Sequence, residues 1–235
     1  MKIIVTGGAG FIGSHLVDAL IKRGDSVAVI DDFNDFYDPA LKRENIAPHR
    51  KNPEFKLFEL DIRDASAIKE CFAEYRPDVV CHLAARAGVR PSLADPVLYE
   101  EVNSLGTLNI LEASKGLDLK NFVFAGSSSV YGINSKVPFS EDDPVLKPIS
   151  PYAATKRASE LMCYTYSHLY DMPVTSLRFF TVYGERGRPE MAIARFTELI
   201  NAGVQIEVFG DGSAVRDFTY VGDITKGVVN SIDTP

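Results

Sequence analysis

The first strand and the glycines that follow it constrain the fold of this chain most strongly. The apolar residues 3–6 lead directly into Gly7-Gly8-Ala9-Gly10-Phe11-Ile12-Gly13, and an amphipathic segment over 14–23 follows. In this order the glycines permit a tight turn, let the backbone approach a pyrophosphate, and let the helix pack closely on the strand. The sequence therefore predicts that the phosphates of a dinucleotide bind at the N-terminus of the first helix.

The rest of the chain continues the same alternation. Short apolar runs rich in Val, Ile and Phe are separated by longer amphipathic stretches, which is typical of βαβ units and a parallel sheet. The fold class that this indicates is α/β, a Rossmann-type doubly wound parallel sheet with helices on both faces. Residues 32–53 and 133–151 are predicted to be long irregular stretches. We predict strands over 2–6, 27–31, 55–59, 79–83, 121–125, 175–180 and 206–209, and helices near 11–23, 65–75, 96–115, 151–170, 188–202 and 223–232.

An acidic residue closes the second predicted strand. Asp31 lies at the spacing from the glycine turn at which a carboxylate accepts hydrogen bonds from the adenosine ribose. A negative charge there would repel a 2′-phosphate, so the sequence favours NAD over NADP. The alternative is that Asp31 only begins a polar loop. Asp61, at the end of the third predicted strand, can accept a hydrogen bond from the adenine amine or cap the following helix.

A tyrosine and a lysine mark the candidate catalytic centre. Of the ten tyrosines only Tyr152 has a lysine four residues later, Lys156, and this spacing places both on one helix face. A phenol with a pKa of about 10 needs a downward shift of about 3 units to act as a base, which an adjacent ammonium and an oxidised nicotinamide can supply together. The predicted strand 121–125 leads into Ser127-Ser128-Ser129, where a hydroxyl can bridge substrate and phenol. The alternative is that Tyr152 and Lys156 meet by chance on the surface and that the three serines form an ordinary polar turn.

Composition excludes several classes of protein. With 46% hydrophobic and 24% charged residues the chain is expected to be a soluble globular protein, and its net charge of −7 argues against a nucleic-acid partner. No apolar run is long enough to span a bilayer, and the first residues lack the pattern of a signal peptide. Cys71, Cys81 and Cys163 form no CxxC pair, which favours a reducing, cytoplasmic location. The histidines lack ligand spacing, so no metal site is predicted, and His82 is expected to be a buried residue with satisfied hydrogen bonds.

Several motifs together resemble a known family. The glycine turn, Asp31, His82-Leu83-Ala84-Ala85, Asn103, the SSSVYG segment, Tyr152-Ala-Ala-Thr-Lys156 and Arg178-Phe-Phe-Thr-Val-Tyr-Gly184 resemble the extended short-chain dehydrogenase/reductase superfamily. Within it the chain is most similar to nucleotide-sugar epimerases. The resemblance implies that Tyr152 takes the proton of the sugar 4-hydroxyl while C4 delivers hydride to NAD. It also implies that Ser127 assists, and that Lys156 lowers the tyrosine pKa and holds the nicotinamide ribose. The 4-keto sugar then turns over and takes the hydride back.

The resemblance also implies which residues contact the two ligands. The cofactor contacts are expected to be Gly7, Gly10, Phe11, Ile12, Gly13, Asp31, Asp32, Asn34, Asp61, Ile62, Leu83, Ala84, Ala85, Asn103, Ala125, Tyr152, Lys156, Phe179 and Val182. The substrate contacts are expected to be Ala87, Ser127, Ser128, Ser129, Thr181, Arg188, Glu207, Phe209 and Arg216. Within the second group, residues 206–209 resemble the strand whose backbone reads uracil, and Arg216 matches the arginine that binds the UDP pyrophosphate.

Two positions bear on the kind of sugar. Family dehydratases and decarboxylases carry an acidic residue where this chain has Ser129, so the resemblance favours epimerisation. The segment 181–192 is more similar to UDP-glucuronate 4-epimerases than to UDP-glucose enzymes, which usually have asparagine at the position of Thr181. A uronic acid oxidised at C4 is a β-keto acid that can lose carbon dioxide. Arg188 can clamp its carboxylate in a bidentate pair while Thr181 adds a hydrogen bond. Arg186 is a rival for this role, and a solvent-facing Arg188 is the alternative.

Other interpretations stay open. The second interpretation is a UDP-glucose/UDP-galactose 4-epimerase, and the third is a nucleotide-sugar dehydratase or decarboxylase. An alternative without catalysis is an NAD-binding regulatory module, which would use the same fold. The resemblance implies a homodimer built from the helices near 96–115 and 151–170, although Leu161, Met162 and Leu169 can equally belong to an intramolecular core. Residues 1–180 are expected to form the NAD-binding domain. Residues 181–235 are expected to form part of a smaller substrate-binding lobe, truncated because family members continue further.

Overall fold

The main sheet of the protein contains six strands within the described residues, and they all pair in parallel. The computed structural model describes residues 1–133, 136–208, 210–213 and 215–234. The strands are β1 (Lys2–Thr6), β2 (Ser26–Asp31), β3 (Phe55–Glu59), β4 (Val79–His82), β5 (Asn121–Ser127) and β6 (Val174–Phe179). Their order across the sheet is β3-β2-β1-β4-β5-β6, which confirms the predicted doubly wound topology. The order reverses between β1 and β4, and open α/β sheets bind their ligands at the carboxyl ends of the strands beside such a reversal.

Helices cover both faces of this sheet, as predicted. They are α1 (Phe11–Arg23), α2 (Pro39–Ile46), α3 (Ala65–Tyr75), α4 (Val89–Ala94), α5 (Pro96–Tyr99), α6 (Gly106–Ser114), α7 (Pro151–Tyr170), α8 (Ala192–Asn201) and α9 (Val221–Asp233). On one face α3 and α6 bury Phe72 and Ile110 in a core that also contains Cys163 of α7. On the other face α1 and α9 bury Leu16 and Val228. Because both faces are covered, β1, β2, β4 and β5 are buried over nearly their whole length.

The structure departs from the predicted elements in several places. The stretch 32–53, predicted to be irregular, contains α2, which Asp38 caps by accepting a hydrogen bond from the backbone N–H of Ala40. The predicted helix near 96–115 is confirmed as one helical stretch, in which the π-helical residues Glu100–Leu105 lie between α5 and α6, whereas α4 before it was not predicted. Residues 206–208 form no strand within the described chain, and Phe209 lies outside the described residues. An apolar run becomes a strand only where another strand's edge satisfies its backbone groups, and this exposed segment has no such pairing among the described residues.

A second, smaller sheet follows the main one. Thr181–Tyr183 (β7) pairs in parallel with Phe218–Tyr220 (β8). Strands of three residues carry little sequence signal, and neither was predicted. The chain then returns to the main sheet, where α9 packs on α1. The division of the chain at residue 180 stays a prediction. None of the described helices is long and apolar enough to cross a membrane.

Candidate functional site

The carboxyl ends of the parallel strands surround a cavity of about 450 Å³. Small-molecule sites usually occupy roughly 300–1,000 Å³. The cavity wall contains every residue predicted to contact the cofactor except Asn103. It also contains these predicted substrate residues: Ala87, Ser127, Ser128, Ser129, Thr181 and Arg188. The fold therefore brings the two predicted groups together at one edge of the sheet, while the individual ligand contacts stay predictions.

The glycine turn packs backbone directly against backbone. Gly7 has a φ of +68°, and a Cβ there would lie 2.8 Å from the backbone nitrogen of Ala84. A Cβ on Gly13 would lie 2.1 Å from the carbonyl oxygen of Gly7, so α1 can begin this close to the turn only with glycine at position 13. No side chain within the described residues caps the N-terminus of α1, where Gly10 is the N-cap. The first N–H groups of the helix therefore face a ligand phosphate or solvent.

Asp31 is the last residue of β2, so it does not begin the polar loop that the alternative assumed. It is 7% exposed, and its carboxylate accepts hydrogen bonds from the backbone N–H groups of Ala9 at 3.2 Å and Phe33 at 3.0 Å. Burial raises the pKa of Asp31, and the charge of Lys42, whose Nζ lies 3.9 Å from the carboxylate, opposes the rise. Lys42 was not predicted because α2 was missed. Each carboxylate oxygen has a further lone pair that can accept from a ribose hydroxyl.

Tyr37 lies in the loop between β2 and α2 and was also not predicted from the sequence. Its Oη is buried and has no hydrogen-bond partner within the described residues. A Cβ built on Gly10 would lie 3.9 Å from this oxygen, so the hydroxyl lies beside the glycine turn. Burial raises the pKa of Tyr37 to about 12, which keeps its proton on the oxygen as a donor. A buried donor beside a phosphate-binding turn fits a dinucleotide, which brings its own acceptor oxygens.

Asp61 lies at the adenine end of the predicted site. Asp64, and not Asp61, caps α3, so the capping alternative for Asp61 is wrong. The carboxylate of Asp61 forms an ion pair with Arg63 at 2.6 Å while it lines the cavity. Burial acts to raise the pKa of Asp61, but the hydrogen bonds from Arg63 lower it overall. Asp61 is therefore an ionised acceptor at the cavity wall.

Helix α7 carries the tyrosine and lysine of the candidate catalytic centre. Ser150 caps this helix by accepting a hydrogen bond from the backbone N–H of Ala153 at 3.1 Å. Tyr152 in the first turn faces Ser127 at the end of β5, whose hydroxyl can donate a hydrogen bond to the ionised phenol and so acts to lower its pKa. The ring of Tyr99 meets the ring of Tyr152 edge-on, with 6.2 Å between centroids. The predicted serine and tyrosine are thus in contact, and Tyr99 is a positioning residue that the sequence did not indicate.

The charge state of this centre depends strongly on burial. Lys156 donates from Nζ to the carbonyl oxygen of Ala125 at 2.8 Å, and burial lowers the pKa of Lys156 to about 8. Burial also raises the pKa of Tyr152, against the hydrogen bond from Ser127 and the charge of Arg188. The described side chains by themselves therefore do not lower the pKa of Tyr152 as the sequence analysis expected. The sequence analysis also expected an oxidised nicotinamide to contribute to lowering this pKa.

A chain of buried hydrogen bonds lies behind the cavity. The hydroxyl of Thr107 donates to the carbonyl oxygen of Asn103 at 2.5 Å, so its oxygen accepts from Nε2 of His82 at 2.9 Å. Since the ring is neutral and Nε2 carries the proton, Nδ1 accepts from the hydroxyl of Thr6 at 2.7 Å, and Thr6 in turn accepts from the N–H of Ala84 at 3.0 Å. These roles assign the neutral Nε2–H tautomer, and burial lowers the pKa of His82 to about 3. His82 is the satisfied core residue that the sequence predicted.

Asn103 acts from behind the cavity wall. It is 1% exposed and lies in the π-helical segment. Its side-chain oxygen accepts from the backbone N–H of Arg86 at 2.8 Å, and its side-chain nitrogen donates to the carbonyl oxygen of Arg86 and to the hydroxyl of Thr155. Asn103 thus ties the loop after β4 to α7. These hydrogen bonds give Asn103 a positioning role, and its contact with the cofactor stays a prediction.

The two residues of the predicted carboxylate clamp, Thr181 of β7 and Arg188, lie in the wall of the same cavity. Arg188 lies over the ring of Phe36, with 5.7 Å from the guanidinium carbon to the ring centroid, and Arg86 lies over the same ring at 5.5 Å. Arg186, the rival for the clamp, instead forms an ion pair with Asp18 of α1 at 2.8 Å. The solvent-facing alternative for Arg188 is wrong, since its side chain is only 18% exposed.

A second cavity of about 670 Å³ lies between the small sheet and α8. It shares Phe11, Thr181, Val182 and Met191 with the first cavity, and Arg216 lines it. Glu207 is exposed and lines neither cavity as far as the described residues define them. Phe209 lies outside the described residues. Of the residues predicted to bind the nucleotide part of the substrate, the structure thus places Arg216 at a cavity.

The glycine turn, Asp31 and the facing side chains of Ser127 and Tyr152, all in one cleft, are the features of an NAD-dependent enzyme that oxidises a hydroxyl group. A sequence model of the NAD dependent epimerase/dehydratase family matches residues 3–235, so the chain belongs to this family. This confirms the family that the sequence resembles, and with it the expectation of an NAD-dependent enzyme.

Particular relatives narrow the comparison. The chain is 46% identical over 229 residues to a UDP-glucuronate 4-epimerase of Thermodesulfobacterium geofontis, covering 97% of this chain and 71% of that protein. The crystal structure of UDP-glucuronic acid 4-epimerase from Bacillus cereus, in complex with UDP-glucuronic acid and NAD, matches with a TM-score of 0.91 at 41% identity, over 100% of this chain and 74% of that one. UDP-glucose 4-epimerase from Thermotoga maritima with UDP-glucose matches with a TM-score of 0.89 at 37% identity, over 98% and 73%.

Proposed function

We propose that this chain catalyses the NAD-dependent epimerisation of UDP-glucuronate at C4 to give UDP-galacturonate. The observation that carries the proposal is that Tyr152, Ser127 and Arg188 line the same cavity as the glycine turn. The cavity thus joins a proton-transfer pair, a dinucleotide site and a cation suited to a carboxylate. The similarity to two UDP-glucuronate 4-epimerases supports the same reaction.

The dinucleotide fits the residues that are present. Gly7 and Gly13 let the turn and α1 pack backbone against backbone, so that the uncapped N-terminus of α1 lies at the cavity wall, where a phosphate can bind. Tyr37 offers its unpartnered buried hydroxyl beside the turn. Asp31 accepts from the ribose at the end of β2 and disfavours a 2′-phosphate. When bound, NAD supplies an acceptor and later a donor for the hydride of C4.

The chain's own residues handle the proton and orient the sugar. Tyr152, ionised to the phenolate when NAD is bound, takes the proton of the 4-hydroxyl as C4 is oxidised and returns it as C4 is reduced. Ser127, which faces Tyr152, can turn its single hydroxyl proton from the phenol to the same sugar oxygen when substrate is bound. Lys156 lies on the same face of α7 and binds the nicotinamide ribose in this proposal. Dehydratases and decarboxylases are expected to have an acidic residue at the position of Ser129. Without it, the site lacks the acid that elimination from the oxidised sugar requires.

The carboxylate of the sugar needs restraint while C4 is oxidised. A β-keto acid loses carbon dioxide when its carboxylate rotates out of the plane of the carbonyl group. Arg188 can hold it by a charge-assisted pair and Thr181 by a hydrogen bond. Arg216 lines the neighbouring second cavity and would bind the UDP pyrophosphate there. Residues 181–235 would then form the part of a substrate-binding lobe that this chain contains.

The test is to incubate the purified protein with UDP-glucuronate and separately with UDP-glucose, and to resolve the products by chromatography. UDP-galacturonate from the first sugar alone is the expected result. UDP-galactose from the second would instead indicate a neutral-sugar epimerase. Tyr152→Phe should abolish turnover while NAD stays bound. A variant that still turned over, or a protein without turnover on either sugar, would contradict the proposal.

We also propose that the protein is a homodimer that uses α7. Leu161, Met162 and Leu169 on this helix are 50%, 41% and 60% exposed, so they do not belong to an intramolecular core. An exposed apolar helix face of this kind is typical of an interface. Light scattering after size exclusion should give twice the chain mass, and a monomer that persists at micromolar concentration would contradict the dimer.

The three free, buried cysteines support our proposal of a cytoplasmic location.

A further inference from the structure

The guanidinium of Arg188 already has a carboxylate partner in this chain. Its Nε lies 3.1 Å from Oε1 of Glu190, and its Nη2 donates to the sulfur of Met191 at 3.2 Å. The side chain of Arg188 is 18% exposed and that of Glu190 is 43% exposed. Glu190 therefore compensates the charge of Arg188 from the solvent side, at the edge of the cavity that Arg188 lines.

A sugar carboxylate would need the same group of donors. A guanidinium binds a carboxylate through two parallel N–H groups, either Nε with one Nη or the two Nη together. In the first geometry the sugar must displace Glu190 from Nε. In the second it brings another negative charge beside the Glu190 carboxylate. In both geometries Glu190 weakens the binding of a uronate. A neutral hydroxymethyl group, in contrast, leaves the ion pair between Arg188 and Glu190 undisturbed.

We propose that Glu190 is the exchange partner of Arg188 and thereby a specificity-determining residue of the sugar site. It holds the guanidinium when no sugar carboxylate is present and is displaced when a uronate binds. It takes the guanidinium back when the carboxylate leaves. This inference rests on the proposed function, because it assumes that Arg188 binds the carboxylate of the substrate. Its consequence is that Glu190 weakens the binding of the uronate relative to a neutral sugar.

The test compares two sugars on proteins that cannot turn over. Calorimetry would measure the affinity of the NAD-loaded Tyr152→Phe protein for UDP-glucuronate and for UDP-glucose, with and without Glu190→Gln. Ion pairs with this much solvent exposure contribute little, so the ratio of the two affinities should rise by about two- to fivefold in favour of UDP-glucuronate. A ratio that stays the same or falls on Glu190→Gln would overturn the proposal.

A matched control separates exchange from a change in overall charge. Glu59 pairs with Arg43 at 3.0 Å, and Arg43 lies over the ring of Phe33 at 4.2 Å, so this arrangement repeats that of Glu190 outside the cavity wall. Glu59→Gln should leave the affinity ratio unchanged, and an equal rise with this variant would contradict the exchange.

The double variant tests whether Glu190 acts through Arg188. In an Arg188→Gln background, Glu190→Gln should have no effect on the ratio. The same rise in that background would mean that Glu190 merely repels anions, and the exchange would be refuted. Failure of the proposed function gives a different result: the reference protein would bind both sugars equally, and Arg188→Gln would change neither affinity.

Discussion

Two glycine-to-alanine substitutions inside helices should change stability in opposite directions. Gly13 lies near the start of α1, where a Cβ would lie 2.1 Å from the carbonyl oxygen of Gly7 and 2.8 Å from the Cα of Gly8. Gly227 lies in the middle of α9, and a Cβ there would have nothing within 4 Å among the described residues. Both changes add the same methyl group to the same kind of element, so the difference between them measures the close approach of α1 to the turn.

The expected magnitudes follow from the two environments. Alanine is preferred over glycine inside a helix by about 0.8–1 kcal/mol, so Gly227→Ala should raise the melting temperature by roughly 2–4 °C. Gly13→Ala gains the same preference, but its Cβ overlaps backbone atoms that cannot rotate away. Carbon contacts are normally about 3.5–4 Å, so α1 must move by about 1 Å, and such overpacking costs about 1–3 kcal/mol or more. A net loss of stability is therefore expected.

Urea denaturation and calorimetric titration with NAD would measure both consequences. The N–H groups that are predicted to bind the phosphates move with α1, so Gly13→Ala should weaken NAD binding by about tenfold or more. Gly227→Ala should leave NAD binding unchanged. If Gly13→Ala were as stable as Gly227→Ala and bound NAD equally well, the argument that the turn requires glycine at position 13 would be refuted.

Three further predictions concern side chains at the cavity. Tyr37→Phe should weaken NAD binding by about 1–2 kcal/mol without loss of stability, because its hydroxyl has no partner among the described residues; unchanged affinity by titration would exclude it as a ligand. Asp31→Asn should narrow the preference for NAD over NADP, measured as the ratio of the two dissociation constants. Since burial lowers the pKa of Lys156 to about 8, below its unfolded value, the lysine should make stability rise with pH between about 8 and 10.4. Lys156→Met should remove that rise in urea denaturation curves, and an unchanged slope would show that another group titrates.

The sequence alone determined the features that depend on local order. The strand, glycine turn and helix at the start of the chain are contiguous, so their geometry follows from backbone stereochemistry and the absence of side chains at Gly7 and Gly13. The spacing of Tyr152 and Lys156 places them on one face of any helix. The alternation of apolar runs and amphipathic stretches similarly determined the parallel sheet, because each strand must be buried on both faces.

Only the tertiary structure decided which distant residues meet. Tyr37 and Lys42 reach the site through a loop and a short helix that sequence periodicity did not reveal. The strands β7 and β8 stabilise each other through hydrogen bonds across a long stretch of chain, so neither has a strong signal of its own. Arg186 and Arg188 are two residues apart and chemically alike, yet one pairs with Asp18 and the other lines the cavity. Their difference arises from the path of the backbone against α1, a contact that no local pattern encodes.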